Sequence, residues 1–177
     1  MFEEDADLMA LFEIVAGLGL SDCWIAAGTL RNYIWNVLSA RSGLDDASDI
    51  DVVFYDPELP DEERKALESA LNQTYPNYQW ELKNQVNMHY HSPHTKPYQS
   101  SRDAISKYPE TCTAIAGRLD ERGSLELFLP YGVEDIVSFT VKPTPHFATD
   151  AERMAVYRSR LAKKSWASKW QRLKIIL

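Results

Sequence analysis

The sequence predicts an α+β fold: a mixed β-sheet flanked by helices, followed by a basic C-terminal helix. Three observations carry this. Helical and strand patterns alternate through the first half of the chain. Two β-rich runs come late, on either side of Asp120-Glu121-Arg122-Gly123, as a hairpin. After Pro143 and Pro145 the composition turns basic. The expected organisation is one domain over residues 1–145 and a basic helical extension over residues 146–177.

Each element follows from a local pattern. Leu8, Leu11, Phe12 and Val15 recur at helical spacing, so residues 4–17 read as an amphipathic helix closed by Gly17 and Gly19. Cys23-Trp24-Ile25-Ala26 is a short apolar run, the pattern of a buried strand. Directly after Gly28-Thr29, the residues Leu30, Ile34, Val37 and Leu38 give a second helical stripe. Residues 41–48 form a polar loop. Asp49 to Tyr55 is the clearest strand, and Asp56-Pro57 stops it. Residues 61–73 make a third helix, with Asp61, Glu62 and Glu63 in the first turn, where the helix dipole favours anions. Tyr78, Trp80 and Leu82 alternate with Gln79, Glu81 and Lys83 as a half-buried strand. The late hairpin uses residues 111–119 and 124–129. The basic helix spans roughly 150–172, with Trp166 and Trp170 four apart on a packing face that Leu173 and Leu177 continue.

Composition narrows the function classes. At 45% hydrophobic and 25% charged the chain is ordinary globular material, which excludes a largely disordered protein. The longest apolar stretch, Leu8 to Leu20, is too short to span a bilayer and contains Glu13. An acidic N-terminus and two cysteines in apolar surroundings, Cys23 and Cys112, predict a cytoplasmic protein with free thiols. The net charge of −7 argues against general nucleic-acid binding, but it is uneven. Residues 151–177 carry eight Lys and Arg against Glu152 alone, a net of +7, which leaves −14 for the first 150 residues. The basic segment reads as a helix docked on an acidic body or, more sharply, as one that meets nucleotide or RNA phosphates.

Two features carry chemistry. Alternation puts Asp49 and Asp51 on one strand face, about 7 Å apart, while Ile50, Val52 and Phe54 fill the core. At an effective dielectric of about 20 the two charges repel by about 2 kcal/mol, so a partly enclosed pair calls for a cation or a proton. Mg²⁺ suits, because it takes oxygen ligands and keeps positions open for phosphates. Glu81, on the next strand, is the candidate third carboxylate. The second feature is Gly28-Thr29, between a buried strand and a helix start. Glycine lets a phosphate approach the backbone, the Thr hydroxyl caps the helix or bonds phosphate, and free amides favour an anion. A phosphate cradle beside a metal-binding strand is the machinery of phosphoryl or nucleotidyl transfer. Arg31 and Asn32 stand in the first helical turn, and Lys83, Asn84 and Gln85 follow Glu81 as candidate cleft residues or, for the Asn-Gln pair, as backbone caps. His89, His91 and His94 match no standard zinc spacing, and His89 reads as a supporting imidazole.

Ala27-Gly28-Thr29-Leu30-Arg31-Asn32, Asp49-Ile50-Asp51-Val52-Val53-Phe54 and Trp80-Glu81-Leu82-Lys83-Asn84-Gln85 with Met88-His89 together resemble a known family. So do Pro109-Glu110-Thr111, Pro130-Tyr131-Gly132 and Lys142-Pro143-Thr144-Pro145. The resemblance is to the bacterial nucleotidyltransferase-like family of the DNA polymerase-β nucleotidyltransferase superfamily. It implies the polymerase-β-like fold and an Mg²⁺-dependent enzyme that moves a nucleoside monophosphate from an NTP, such as ATP, to a hydroxyl acceptor. Under it, Asp49, Asp51 and Glu81 bind metal and are catalytic, and Glu81 helps activate the acceptor. Gly28, Thr29, Arg31, Asn32 and Lys83 meet the nucleotide, with Asn84, Gln85 and His89 behind them. The expected acceptor is a small molecule, with RNA as the other choice. The alternative is a catalytically inactive module of the same fold that binds a nucleotide or a partner. Thr29 in place of the usual Ser or Gly, and Asn87 in place of a basic residue, motivate that alternative.

Overall fold

A computed structural model describes residues 1–45 and 49–177, so residues 46–48 of the predicted polar loop lie outside the described residues. The chain forms α1 (Ala6–Gly17), β1 (Trp24–Ala26), α2 (Gly28–Val37), β2 (Asp49–Phe54), α3 (Asp61–Thr74) and β3 (Gln79–Asn84). A 3-10 segment over Gln85–His91 leads to α4 (Ser101–Ser106), β4 (Ala116–Leu119), β5 (Leu125–Phe128), α5 (Glu134–Val137) and β6 (Thr140–Val141). The last elements are α6 (Pro145–Ala148), α7 (Ala151–Lys163), α8 (Trp166–Lys169) and β7 (Lys174–Ile175). The main sheet has the order β3-β2-β1-β4-β5; β2 and β3 are parallel and the other pairs antiparallel. This is the mixed, helix-flanked α+β sheet the alternation predicts.

The parallel pair needs a crossover, and α3 supplies it. It does more than connect. The Asn72 side chain bonds both the N–H and the C=O of Trp80, at 3.0 and 3.1 Å. The Glu68 carboxylate accepts the Leu82 N–H at 2.7 Å, and Arg64 donates to the Leu82 carbonyl at 3.0 Å. Positions four apart on a helix climb about 6 Å, close to the two-residue rise of a strand. Arg64, Glu68 and Asn72 therefore occupy the outer edge of β3, the edge that would otherwise stay unpaired.

Ile25, Ile50, Val52, Phe54, Trp80 and Leu82 point to one sheet face and form the main core with α1, α2 and α3. On the opposite face a smaller cluster holds Trp24, Ala26, Val53 and Ala116 under Ile105 of α4. The rest of that second face carries Asp49, Asp51 and Glu81 in place of apolar residues.

Two local expectations change. Strand β4 begins at Ala116 rather than at residue 111, because Thr111–Thr113 turn in a 3-10 helix whose Thr111 N–H bonds the Lys142 carbonyl at 3.0 Å. The basic helix ends at Lys163, not near 172. Lys164 is extended, with φ −90° and ψ 128°, and the break turns Trp166 and Trp170 inward. Both indoles pack edge-on against Trp35 of α2, at 5.9 and 5.0 Å between ring centroids, and Trp170 Nε1 donates to Asn36 Oδ1 at 3.1 Å. Strand β7 then pairs in parallel with β6. Leu177, expected on the packing face, is exposed.

Cys23 and Cys112 are free, and burial pushes both thiols up to about 12. Among the described residues no helix is long and apolar enough to cross a membrane.

Removing one of the buried indoles tests how firmly the C-terminal segment belongs to the core. Trp170→Ala is expected to lower stability by about 3–5 kcal/mol, a fall in Tm of roughly 10 °C. Thermal denaturation within about 2 °C of the parent would show that the segment packs without contributing.

Candidate active site

The site starts at the turn between β1 and α2. Ala27 takes φ 52° and ψ −120°, a conformation rare for a residue with a Cβ and costly by about 1–3 kcal/mol. Its N–H bonds the Ile115 carbonyl at 2.9 Å, which holds the turn in place. The turn aims the first amide of α2 at β2, and Gly28 N–H donates to Asp51 Oδ2 at 3.1 Å. A Cβ on Gly28 would lie 2.9 Å from that same oxygen, so a larger residue here would have to push the carboxylate aside. Thr29 is buried. Its hydroxyl donates to the Asp49 carbonyl at 3.0 Å and accepts the Asp51 N–H at 2.8 Å. This corrects the helix-cap expectation: the Thr29 hydroxyl does not cap α2 or line the cleft described below, but fastens α2 to β2.

Register assembles the acids. In the parallel pair Asp49 stands opposite Gln79 and Asp51 opposite Glu81. Partners in register share a sheet face, so Asp49, Asp51 and Glu81 project to the same side. Lys83, two residues on from Glu81, joins them. Its Nζ lies 2.8 Å from Asp51 Oδ1 and 2.6 Å from Glu81 Oε2. Burial would pull the Lys83 ammonium below its ordinary range, but attraction and hydrogen bonds from the two carboxylates outweigh it and raise its pKa. Among the described residues no cation bonds Asp49, and Lys83 and Lys164 act on it only from a distance. Burial, then repulsion from Glu81 and Asp51, holds its carboxyl above the ordinary 3.8. Among the described residues no three acidic, His or Cys side chains already form a metal cage. The Lys83 nitrogen bridges two of the three carboxylates.

A cleft of about 490 Å³ opens over this face. Of the sequence-predicted residues, Gly28, Arg31, Asn32, Asp49, Asp51, Glu81, Lys83 and Gln85 line it. Gln85 also donates to the Lys83 carbonyl at 2.9 Å. Asn84 turns away and closes the β3 end, bonding both backbone groups of Asp56. His89 is buried beside Tyr90 and Tyr98 and does not line the cleft, whereas His91 does. Arg31 is only 3% exposed. Its guanidinium bonds Thr113 Oγ1 and Asn32 Oδ1 and lies against both the Trp35 and Trp166 rings. Sequence reasoning missed Arg160, Lys164 and Trp166 as cleft residues. The +7 charge of their segment was the only signal, and nothing in the spacing shows which of its cations turn inward.

The raised Asp49 pKa has a consequence for stability. The folded chain holds that proton more tightly than the unfolded chain does, so the fold is favoured at low pH. It loses that advantage as pH rises through the raised carboxyl range of the folded chain. Asp49→Asn removes the ionisation. The variant is expected to be at least as stable as the parent at pH 7, with a smaller relative gain below pH 3.8, in urea denaturation at both pH values. A variant that is relatively weaker at pH 7 than at low pH would contradict the crowding of charge inferred at Asp49.

Comparison with known proteins places this geometry. A family model described as nucleotidyltransferase matches residues 13–175. A solved structure described as revealing a CCA-adding enzyme head domain is 54% identical, with a TM-score of 0.93 over 99% of this chain and 92% of that one. A structure of a tRNA-processing enzyme complex aligns at a TM-score of 0.54 and 14% identity, over 94% of this chain and 43% of that one, a likeness of fold alone. No curated protein matches. The family match takes in the Gly28 turn, both acidic strands and the basic segment, so the chain belongs to the nucleotidyltransferase family and has the polymerase-β-like fold of a CCA-adding enzyme head domain.

Proposed function

We propose that the protein transfers a nucleoside monophosphate from a nucleoside triphosphate to a hydroxyl acceptor in an Mg²⁺-dependent reaction that releases pyrophosphate. The carrying observation is the β2–β3 register, which sets Asp51 opposite Glu81, with Asp49 on the same face and the Gly28 amide beside them. The donor set fits Mg²⁺: three carboxylates offer hard oxygen ligands on one wall of a cleft. Asp49, Asp51 and Glu81 would hold the ion. When bound, it would neutralise phosphate charge and keep the nucleotide oriented.

The chain's own groups supply the rest. Lys83 leaves the carboxylates on its flexible stem and turns to the incoming phosphates, a short move for a side chain that is 37% exposed. The acceptor oxygen attacks the α-phosphorus, the bond to the bridging oxygen breaks, and pyrophosphate departs with the electron pair. Glu81, at the outer side of the trio, takes the acceptor's proton. Positioning and charge neutralisation carry most of such a transfer.

A small-molecule acceptor fits better than RNA. Three basic side chains of the C-terminal segment are tied to the rest of the protein. Arg153 bonds the backbone of Pro93 and His146, Lys169 pairs with Asp45 at 2.6 Å, and Arg172 stacks on Phe139. Of the segment's exposed cations, Arg158, Lys163, Arg172 and Lys174 lie away from the cleft and Lys164 lines it. The free thiols Cys23 and Cys112 suit a reducing cytoplasm. A second reading, nucleotide binding without turnover, is favoured by the Lys83 bridge across two of the carboxylates.

Pyrophosphate release from ATP and the other NTPs, with Mg²⁺ and a set of small hydroxyl compounds and RNA oligonucleotides, tests the proposal. Asp51→Asn is expected to lower turnover at least about 100-fold, the scale of several kcal/mol of lost charge stabilisation. Equal turnover by parent and variant would overturn the assignment. Calorimetric ATP binding with no pyrophosphate release under any condition would establish the second reading.

A further inference from the structure

The cleft continues past Lys83, away from the Gly28 turn. Strand β1 runs antiparallel to β2 with Trp24 opposite Val53 and Ile25 opposite Val52, so the turn that follows β1 lies toward the Asp49 end of β2. Val53 and Lys83 stand opposite each other at the other end. There the cleft is lined by Gln85, Met88, Ser92, Tyr98, Tyr108 and Phe147. The hydrogen-bonding groups of this wall are uncharged, and three of their oxygens have no partner. Gln85 is 1% exposed and Tyr98 5%. The Gln85 amide donates to the Lys83 carbonyl, but its Oε1 accepts from no described group. The Tyr98 and Tyr108 hydroxyls likewise have no hydrogen-bond partner among the described residues. None of the three oxygens is sealed in the core, since the described side-chain atoms buried without a partner are His89 Nδ1 and Glu110 Oε2. The opening that all three residues line is the cleft. Ser92 adds a fourth group. Arg153 Nη1 lies 3.2 Å from His146 Nδ1, and a guanidinium only donates, so Nδ1 accepts and Nε2 carries the imidazole proton. That Nε2 lies 2.9 Å from Thr95 Oγ1 and 3.3 Å from Ser92 Oγ, and the two hydroxyls are 2.8 Å apart. Ser92 Oγ thus rests against two donors, which leaves its own proton for the cleft. The cation at this end, Lys107, is already held by Asp103 at 2.5 Å.

We propose that this end of the cleft takes the acceptor, and that the acceptor is a neutral cyclic polyol, a sugar or a cyclitol. The proposal rests on the nucleotide-transfer reading above and names its second substrate. In phosphoryl transfer the entering and leaving oxygens lie roughly in line. With pyrophosphate leaving on the side of the Gly28 turn, the acceptor oxygen enters from the Val53 side and gives its proton to Glu81. Its bond to the α-phosphorus forms as the bond to the bridging oxygen breaks, and the electron pair leaves with pyrophosphate. The wall suits a polyol in two ways. Ring hydroxyls both donate and accept, and the two phenols, Ser92 and Gln85 Oε1 offer both roles. The apolar C–H faces of the ring match Met88, Phe147 and the tyrosine rings. Charge and polarity turn other classes away. An acceptor carboxylate or phosphate would lie near Asp51 and Glu81, with Lys107 already held by Asp103. An ammonium would find Asp103 occupied by Lys107 and the trio of carboxylates occupied by the ion. A purely apolar acceptor would cover four polar groups and leave them unpaired, the costliest kind of mismatch. The groups are also set before binding: Gln85 is tied to β3 through the Lys83 carbonyl, and the Tyr98 ring stands edge-on to His89 at 6.1 Å between centroids.

Tyr98→Phe and Tyr108→Phe keep both rings and remove only hydroxyls that bond nothing in the protein, so the fold is left intact. Parent and variants are compared in pyrophosphate release from NTPs with Mg²⁺. The acceptors are neutral hexoses, pentoses and cyclitols, including glucose and myo-inositol, set against glucosamine, gluconate, adenosine and a single-stranded RNA oligonucleotide. Calorimetry measures the binding of NTP and of each acceptor alongside. A neutral polyol is expected to raise release above the rate without acceptor and to be recovered carrying the nucleotidyl group; whether glucose or myo-inositol does so tells a sugar from a cyclitol. Each variant is expected to raise the KM for that polyol about five- to tenfold, the worth of one neutral hydrogen bond, with NTP affinity unchanged and a Tm no lower than the parent's. Transfer to glucosamine, gluconate, adenosine or RNA in preference to every neutral polyol would overturn the acceptor assignment while leaving nucleotide transfer standing. Equal KM in parent and both variants, or an equal loss of NTP affinity, would overturn it too. Polyol binding that depends on Tyr98, in a protein that releases no pyrophosphate with any acceptor, would keep the subsite and sink the transfer reaction. Failure of the parent to bind any NTP or any polyol would sink both.

Discussion

Everything at the acidic face depends on one register, that of β3 against β2. A one-residue slip would carry Glu81 to the core side and Trp80 out of it. Edge strands are where slips are easiest, because half of their backbone groups lack a partner strand. Here α3 fills that role with side chains. Asn72 closes both Trp80 groups, and Glu68 and Arg64 close those of Leu82. The same helix that makes the parallel connection possible therefore also fixes where the third carboxylate stands.

The second constraint is the joint between α2 and β2. Thr29 fastens the strand backbone on both sides of Ile50, and Gly28 brings an amide against Asp51. A strained Ala27 makes that approach possible. Strain at the turn, repulsion at Asp49 and a buried Arg31 with no carboxylate partner among the described residues all lie within one cleft. Each lowers the stability of the fold. Functional sites commonly carry such local penalties, offset by packing elsewhere.

The offset here lies around Trp35. It stacks on Phe139, meets Trp166 and Trp170 edge-on, and donates to the Ile136 carbonyl at 2.9 Å. Through that one side chain α2, which begins at the Gly28 turn, is packed against the last third of the chain. The C-terminal segment is thereby a structural part of the cleft wall. Its basic residues divide between those that anchor it, such as Lys169 on Asp45, and those that face the cleft.

Periodicity alone was enough to locate the early strands and helices, because each buries one face and so repeats its apolar residues at 2 or 3.6. It was also enough to put Asp49 and Asp51 on a common face and to mark Glu81 as a lone acid between Trp80 and Leu82. Local chemistry likewise marked Gly28-Thr29 as the start of a helix. What no local pattern carried was partnership across distance. The Thr29 hydroxyl, the Lys83 bridge, the outward turn of Asn84 and the inward turn of Lys164 each depend on groups 20 or more residues away or on a helix break. That break exists because two indoles pack better on Trp35 than in water. Short-range spacing encodes which face a residue occupies; the partner it meets there is set by how separate elements pack, and packing is settled only when the whole core closes.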